Sequence, residues 1–111
     1  MAYDERLADE LRERLQGADG ELSEKKMFGG LAFMVDGNLT VVASRHGGLM
    51  ARTDPADAEE TLAQPGAEAV IMRGRQMPGW IYVDPEALAD EAVVDAWVTR
   101  ALAFVAGLPP K

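Results

Sequence analysis

The only histidine, His46, is the first residue whose chemistry would point to catalysis. It lies in a glycine-rich segment beside Ser44 and Arg45. A histidine that acts as a general base or a metal ligand needs partners within hydrogen-bond reach. No acidic residue is obviously placed to orient the ring as in a Ser-His-Asp triad. We therefore expect His46 to be a turn residue.

Acidic residues are abundant, but most stand where helices are predicted to begin. Asp54 and Asp84 each precede a proline, an order typical of a helix N-cap and the first helical residue. Asp57, Glu59 and Glu86 suit the positive N-terminal ends of the same helices. The carboxylate series of a calcium loop is absent, and the lack of cysteine excludes thiolate-bound zinc. We therefore expect no catalytic residue, no metal site and no cofactor.

The two doubled glycines, Gly29-Gly30 and Gly47-Gly48, are the places where a phosphate loop would be sought. Neither has the glycine spacing of a dinucleotide-binding loop or a P-loop, and neither leads from a strand into a helix. We expect a bulge or a tight turn between strands at both positions.

A basic segment that runs into an aromatic residue is the strongest candidate for binding. Its arginines, methionine and tryptophan are types enriched at protein interfaces, and the arginines could also hold an anionic group. Alternatively, the tryptophan and methionine close the core and the arginines pair with surface acids. The lysines at 25 and 26 would enlarge the basic surface if the first strand lies near this segment. The candidate interaction surface consists of Lys26, Met27, Phe28, Arg73, Arg75, Met77 and Trp80.

Apolar spacing predicts three helices that would frame these residues. The first, at residues 4–16, has an apolar stripe of Leu7, Leu11 and Leu15. A short middle helix begins after Asp54-Pro55 and ends at Pro65-Gly66. The last, from about 90 to 106, has a wide stripe of Val94, Trp97, Val98, Ala101, Leu102 and Val105.

Between the helices the sequence is typical of strands. Asp36-Gly37 predicts a type I′ hairpin turn, and residues 73–79 are predicted to form a loop. The predicted strands are 31–35, 39–43, 49–52, 67–72 and 80–83, with 25–28 as a further short candidate. The sequence therefore predicts an α+β fold. N- and C-terminal helices and a short middle helix would pack against an antiparallel sheet of about five strands, whose order stays open.

The 111 residues have the length of one ordinary domain, so residues 1–111 are treated as one unit. The formal net charge is -8, while residues 25–83 carry six acids and six bases. Phosphates repel an acidic chain, and no helix-turn-helix pattern is present, so direct binding of nucleic acid is disfavoured. The N-terminus lacks a signal-peptide core and no apolar run could span a bilayer, which predicts a cytoplasmic protein without membrane association.

A series of motifs runs through nearly the whole chain in the order of one bacterial family. It opens with Lys-Met-Phe-Gly-Gly at 26–30, followed by an apolar strand and the hairpin at 36–38. Leu-Met-Ala-Arg at 49–52 corresponds to the next strand. Met-Pro at 77–78 with Trp80 and Tyr82, and then the closing helix, correspond to the end of the domain. In this combination the chain resembles the TfoX/Sxy N-terminal domain family.

This resemblance implies an α+β domain with an antiparallel sheet and a link to bacterial regulation. Members of the family regulate natural competence genes together with a cyclic-AMP-responsive transcription factor. Those regulators carry a second, C-terminal domain, for which 111 residues leave no room, so we expect a stand-alone N-terminal domain. The resemblance implies no catalytic residues.

Three functional hypotheses follow. The leading one is a non-enzymatic regulatory or interaction domain that docks on a protein partner or on a second copy of itself. An alternative is a small-molecule or nucleotide-binding domain, a cryptic enzyme, with a pocket near the glycine pairs and Arg52 or Arg75 facing into it. Direct DNA binding is the least favoured of the three.

Overall fold

The computed structural model describes residues 3–18, 20–27 and 29–110, which form an α+β fold. The elements in chain order are α1 (Glu5–Leu15), β1 (Leu22–Met27), β2 (Gly30–Val35), β3 (Asn38–Ala43), β4 (Leu49–Arg52), α2 (Ala58–Leu62), β5 (Ala67–Met72), β6 (Arg75–Val83) and α3 (Glu91–Val105). Short 3₁₀ turns at Pro55–Asp57 and Ala87–Ala89 precede α2 and α3. The predicted fold class is confirmed, with a sheet of six strands where about five were expected.

The six strands follow the order β1-β2-β3-β4-β6-β5, and every neighbouring pair is antiparallel. β1 and β5 are therefore the edge strands. The sequence indicated only a short strand at 25–28, yet β1 pairs with β2 from Leu22 to Met27. Its centre is polar and exposed. Charged residues are typical of edge strands and hide the apolar pattern that marks a strand in sequence.

The hairpin between β2 and β3 has the predicted turn. Asp36 has a φ of 52° and Gly37 a φ of 80°, and Val35 pairs with Asn38 across them. Both central residues of a type I′ turn require positive φ, which Asp-Gly tolerates. The hairpin prediction is therefore confirmed.

The predicted loop at 73–79 is wrong, because β6 already begins at Arg75. Arg73 and Gly74 have φ values of 52° and 75°, and Met72 pairs with Arg75 across this two-residue turn. The glycine and proline that suggested a loop instead form an irregularity within the strand. Ala69 pairs with Ile81 and the next paired residue of β5, Ile71, pairs with Gln76, so the segment from 77 to 80 bulges.

The helices cover one face of the sheet. In α1 the predicted leucine stripe is buried, and α3 buries Val94, Trp97, Val98, Ala101 and Val105 in the same core, while Leu102 is half-buried. The core-facing strand residues are Leu31, Phe33, Val35, Val41, Ala43, Leu49, Ala51, Ile81 and Val83. Leu62 of α2 also packs against this cluster. In the part of the chain that the structure describes, the helices thus pack on a single side.

The opposite side, called here the open face, carries the alternate side chains of the same strands. Because successive strand residues point to opposite faces, Met50, Arg52, Trp80 and Tyr82 alternate with core residues of β4 and β6. Within residues 3–18, 20–27 and 29–110, no helix is long and apolar enough to cross a membrane.

Candidate functional site

A small apolar groove lies on the open face, where the central strands meet the β5–β6 hairpin. It encloses about 160 Å³. Its lining residues are Leu39, Val42, Met50, Met72, Met77 and Trp80. We call this set the apolar groove.

Strand register and two irregularities bring these side chains together. Val42 pairs with Met50, and Arg52 pairs with Trp80, so the three central strands supply neighbouring residues. The register between β2 and β3 shifts at Phe33/Met34, after which Met34 pairs with Leu39. Without this bulge, simple alternation from Val42 would turn Leu39 toward the core.

The β5–β6 hairpin supplies the outer wall of the groove. Its two-residue turn sets Met72 opposite Arg75, and the bulged segment carries Met77 and Trp80. Gly79 stands in this bulge with a φ of 84°, and its carbonyl accepts a hydrogen bond from the Thr53 N–H at 2.7 Å. The irregular strand is therefore tied to the end of β4 just before Trp80.

The groove has a buried floor and accessible walls. Val42 is only 2% exposed, whereas Leu39, Met50, Met72 and Trp80 are half-buried. Among the described residues, the strongly exposed large apolar side chains are Ile71, at 60%, and Met77, at 36%. Both belong to the β5–β6 hairpin; Met77 lines the groove, whereas Ile71 alternates with Met72 along β5 and does not line it.

Arg52 lies beside the groove residue Trp80. Its guanidinium lies 5.9 Å from the centre of the Trp80 ring and 5.5 Å from that of Phe104 in α3. Its Nη1 also donates to the Leu39 carbonyl at 3.3 Å. These contacts are typical of a cation that holds aromatic side chains in place. Arg52 thus contacts two groove residues, and the residue as a whole is half-buried.

The sequence-predicted residues of the β5–β6 hairpin are brought to this groove. Met77 and Trp80 line it on the face opposite the core, so they do not close the core. Arg73 and Arg75 are exposed at the adjoining turn, next to Met72. Neither arginine forms an ion pair with a carboxylate of residues 3–18, 20–27 or 29–110. We call Arg73 and Arg75 the basic turn.

The other sequence-predicted residues lie elsewhere. Lys26 and Met27 are on the edge strand β1, where they pair with Leu31 and Gly30. Three strands stand between β1 and β6, so four strand spacings separate them by roughly 19 Å. Phe28 lies outside the described residues. β1 therefore does not enlarge the basic surface at the β5–β6 hairpin.

Four groove residues were not among those singled out from the sequence: Leu39, Val42, Met50 and Met72. Alternation along β3 and β4 could have indicated Val42 and Met50 once the core face was known. The two-residue turn Arg73-Gly74 was the available signal for Met72, because it fixes the register of the hairpin. The bulge that turns Leu39 has no local signature in the sequence.

The residues that could have indicated catalysis have structural roles. His46 lies in the β3–β4 turn, as predicted; its backbone N–H donates to Ser44 Oγ and its ring Nε2 accepts from Arg45 Nε, both at 3.3 Å. The predicted cap Asp54 is confirmed, because it accepts from the Ala56 N–H at 2.9 Å before α2. Asp84 accepts from the Glu86 N–H at 2.9 Å within a turn, but it is not a helix cap, since the residue that caps α3 is Asp90. In the described ranges, no group of three histidine or acidic side chains could hold a metal ion.

The doubled glycines allow close approach between strands. Gly29 and Gly47 have positive φ values of 75° and 88° in their turns. The second glycine of each pair is crowded: a Cβ on Gly30 would lie 2.3 Å from the Ala43 carbonyl oxygen, and one on Gly48 would lie 2.4 Å from the Tyr82 ring. These contacts agree with the turn and strand roles expected from the sequence.

Burial raises the pKa of the Tyr82 phenol, and the Asp84 carboxylate acts in the same direction.

The concavity beside Gly47 does not match the pocket expected for a nucleotide. It measures about 580 Å³, and its charged lining residues are Asp4, Arg6, Glu10 and Glu91. Three carboxylates against one guanidinium repel phosphate. Either Arg52 or Arg75 was expected to face such a pocket, but neither lines this one. Arg52 pairs with Trp80 across β4 and β6, and Arg75 pairs with Met72 across β6 and β5.

Comparison with known proteins gives one match. A sequence model described as the TfoX N-terminal domain matches residues 13–105 of the chain. No curated protein and no solved structure shows significant similarity. The matched region extends from α1 through the whole sheet to the last residue of α3. Since it covers most of the chain, the protein belongs to the TfoX N-terminal domain family.

Proposed function

We propose that this chain is a non-enzymatic, regulatory protein-interaction domain. Its docking surface is the apolar groove together with the basic turn. The regulatory part of the proposal draws on the role that the family resemblance implies. The interaction part rests on the exposed methionine-rich groove on the open face.

The accessible apolar walls of the groove are the single observation that carries this proposal. Contiguous apolar surface on a soluble domain marks interaction sites more often than isolated apolar residues do. Methionine, tryptophan and arginine are enriched where proteins bind each other, and methionine adapts its shape to a partner. Met50, Met72, Met77 and Trp80 meet here, with Arg73 and Arg75 at the rim.

Size and charge favour a protein partner over the other ligand classes. A volume of about 160 Å³ is smaller than the roughly 300 Å³ at which small-molecule pockets begin. The net charge of -8 opposes the phosphate contacts on which nucleic-acid binding depends. An apolar groove with a short basic rim is better suited to a few side chains of another protein.

Site-specific photocrosslinking in cells of the source organism tests this proposal. A photoreactive amino acid replaces Met77 in the groove, and matched chains carry it in place of Met27 on β1 or of Glu13 on α1. We expect a defined protein adduct from position 77 that neither control position gives. Adducts from position 27 or 13 but not from 77 would contradict the proposal, as would equal labelling from all three.

Binding of the crosslinked partner, once purified, then distinguishes the groove from the rest of the surface. We expect Met77→Glu to weaken the complex by about 2 kcal/mol, roughly thirtyfold, because interface centres tolerate truncation or charge poorly. Met27→Glu is the matched control on the other edge strand. The Arg73→Glu/Arg75→Glu variant should also lose binding while its melting temperature stays nearly unchanged, since both side chains are exposed. Full affinity in either folded variant would refute the assignment.

A further inference from the structure

We infer that the partner's docking segment is acidic and carries one large apolar anchor side chain. This inference rests on the proposed interaction function and specifies the chemistry of the occupant. Three properties of the structure support it: the size of the groove, the charge beside it, and the placement of the protein's own acids.

The groove accommodates about one anchor. Its volume is about 160 Å³ and all six lining residues are apolar. An apolar cavity of roughly 150 Å³ holds a benzene ring. One aromatic or long aliphatic side chain therefore fills the space between Leu39, Met50 and Trp80, and a further apolar group would rest on the exposed Met77.

Positively charged side chains lie at both ends of the groove wall that the β5–β6 hairpin forms. Arg73 and Arg75 are exposed at the turn, and Arg52 lies beside Trp80 at the other end of the same wall. The acids near this face are Glu68, which pairs with Tyr82 farther along β5, and Asp84, whose carboxylate acts on Tyr82. A segment that crosses the groove thus meets more positive than negative charge, and acidic residues beside its anchor are favoured.

The protein's own acids lie mostly on the opposite side of the sheet. Of the 19 aspartates and glutamates, fourteen fall in residues 4–15, 54–62 and 84–95, which form the helices and the turns before them. The helices pack against the core face. The resulting separation of charge orients an acidic partner toward the basic turn and away from the helical side.

A second copy of the chain does not supply such a segment. The helix with the most acids, α1, has its leucines buried, with Leu7, Leu11 and Leu15 no more than 4% exposed. α2 has Glu59 and Glu60 and no base, but its Leu62 packs against the core. The exposed surfaces of both helices are therefore charged but lack an apolar anchor. The occupant that fits the groove is an acidic segment of a different protein.

Selection from a random peptide library displayed on phage tests the inference with the full chain as bait. We expect the enriched peptides to have net negative charge and one large apolar residue. Synthetic peptides from that pool should shift the fluorescence of Trp80 in the groove. The control is the Trp80→Phe variant, in which the remaining tryptophan, Trp97, is only 3% exposed and serves as the buried reference. Their affinity should fall about tenfold or more in Arg73→Glu/Arg75→Glu. The control Arg6→Glu/Arg45→Glu changes the net charge equally at exposed sites away from the groove, and it should bind normally.

The alternative outcomes separate this inference from the proposed function. Groove-binding peptides that are neutral or basic, or that are insensitive to the basic turn, would overturn the inference and leave the docking surface intact. Concentration-dependent self-association that protects the groove would do the same, with a second copy as the occupant. Failure to enrich any peptide that binds at the groove would contradict both the inference and the proposed function.

Discussion

Arg52 shows how a single residue shapes the groove. Its guanidinium contacts Trp80 on the open face and Phe104 of α3, and it donates to the Leu39 carbonyl. Arg52 therefore connects the last turn of α3 to two residues of the groove, Trp80 and Leu39. A half-buried arginine with these partners contributes through both its charge and its packing.

Replacing Arg52 should cost stability and loosen Trp80. We expect Arg52→Ala to lower the free energy of unfolding by about 2 kcal/mol, from two cation–π contacts and one hydrogen bond to a charged donor. Urea denaturation measures this change, and Trp80 emission reports the local effect. Arg75→Ala, at an exposed position, should stay within about 0.5 kcal/mol of the wild type. Equal stability of the two variants would contradict this role for Arg52.

Glu24 gives a pH dependence with a defined sign. Its carboxylate accepts hydrogen bonds from Arg12, which lower the pKa of Glu24 in the folded protein. A lowered folded-state pKa means that the stabilisation is present above the ordinary glutamate pKa of about 4.3 and is lost as the pH falls through the folded value. Wild type should therefore be more stable than Glu24→Gln at neutral pH, and the difference should vanish in acid. A difference that persists or grows in acid would show that the ion pair is not its source.

At the residue scale the sequence indicated part of the site. Met77 and Trp80 were recognisable by residue type, and the cap Asp54 by its position before proline. Leu39 was not recognisable, because its direction depends on the bulge opposite Met34. Lys26 and Met27 were assigned to the same surface because residue type carries no information about strand order.

At the scale of elements, the helical layer fixes the core face and so leaves the other face open. α3 contributes most to this, because Val94, Trp97, Val98, Ala101 and Val105 all pack into the core. Its first turn is capped by Asp90, whose side chain accepts from the Ala92 N–H at 2.9 Å. The stability of the open face therefore depends in part on a cap that belongs to the helical layer.

Removing the cap of α3 should weaken the whole domain. We expect Asp90→Ala to cost about 1 kcal/mol, because an unsatisfied N–H is left at the helix start. Asp95→Ala is the matched control: its carboxylate is 70% exposed and lies 3.7 Å from Arg14, which is worth little at the surface. Thermal unfolding of both variants provides the comparison. A loss in Asp95→Ala as large as that in Asp90→Ala would argue against the capping role.

The elements themselves were largely predictable, whereas their arrangement was not. The stripe of α1, the Asp36-Gly37 turn and the Asp54-Pro55 signal before α2 are local, and the structure agrees with them. The pairing of β4 with β6 is a long-range contact that no local pattern specifies. The loop predicted at 73–79 failed because glycine and proline also mark bulges within strands, as they do at Pro78 and Gly79.

At the scale of the whole molecule, charge and apolar surface are separated. Acidic residues gather on the helices, while the open face carries the apolar groove and the basic turn. Such a distribution favours one orientation of encounter with a partner. It also explains how a chain with a net charge of -8 can offer an acidic segment a favourable site.

The most direct test of the central claim is the methyl NMR spectrum of the methionines as the crosslinked partner is added. Met50, Met72 and Met77 line the groove, and Met27 on β1 is an internal reference that lies three to five strand spacings from them. The account predicts that the three groove signals shift with saturation while the Met27 signal stays in place. A shift of Met27 with the groove signals unchanged, or binding without any change at the groove, would contradict it.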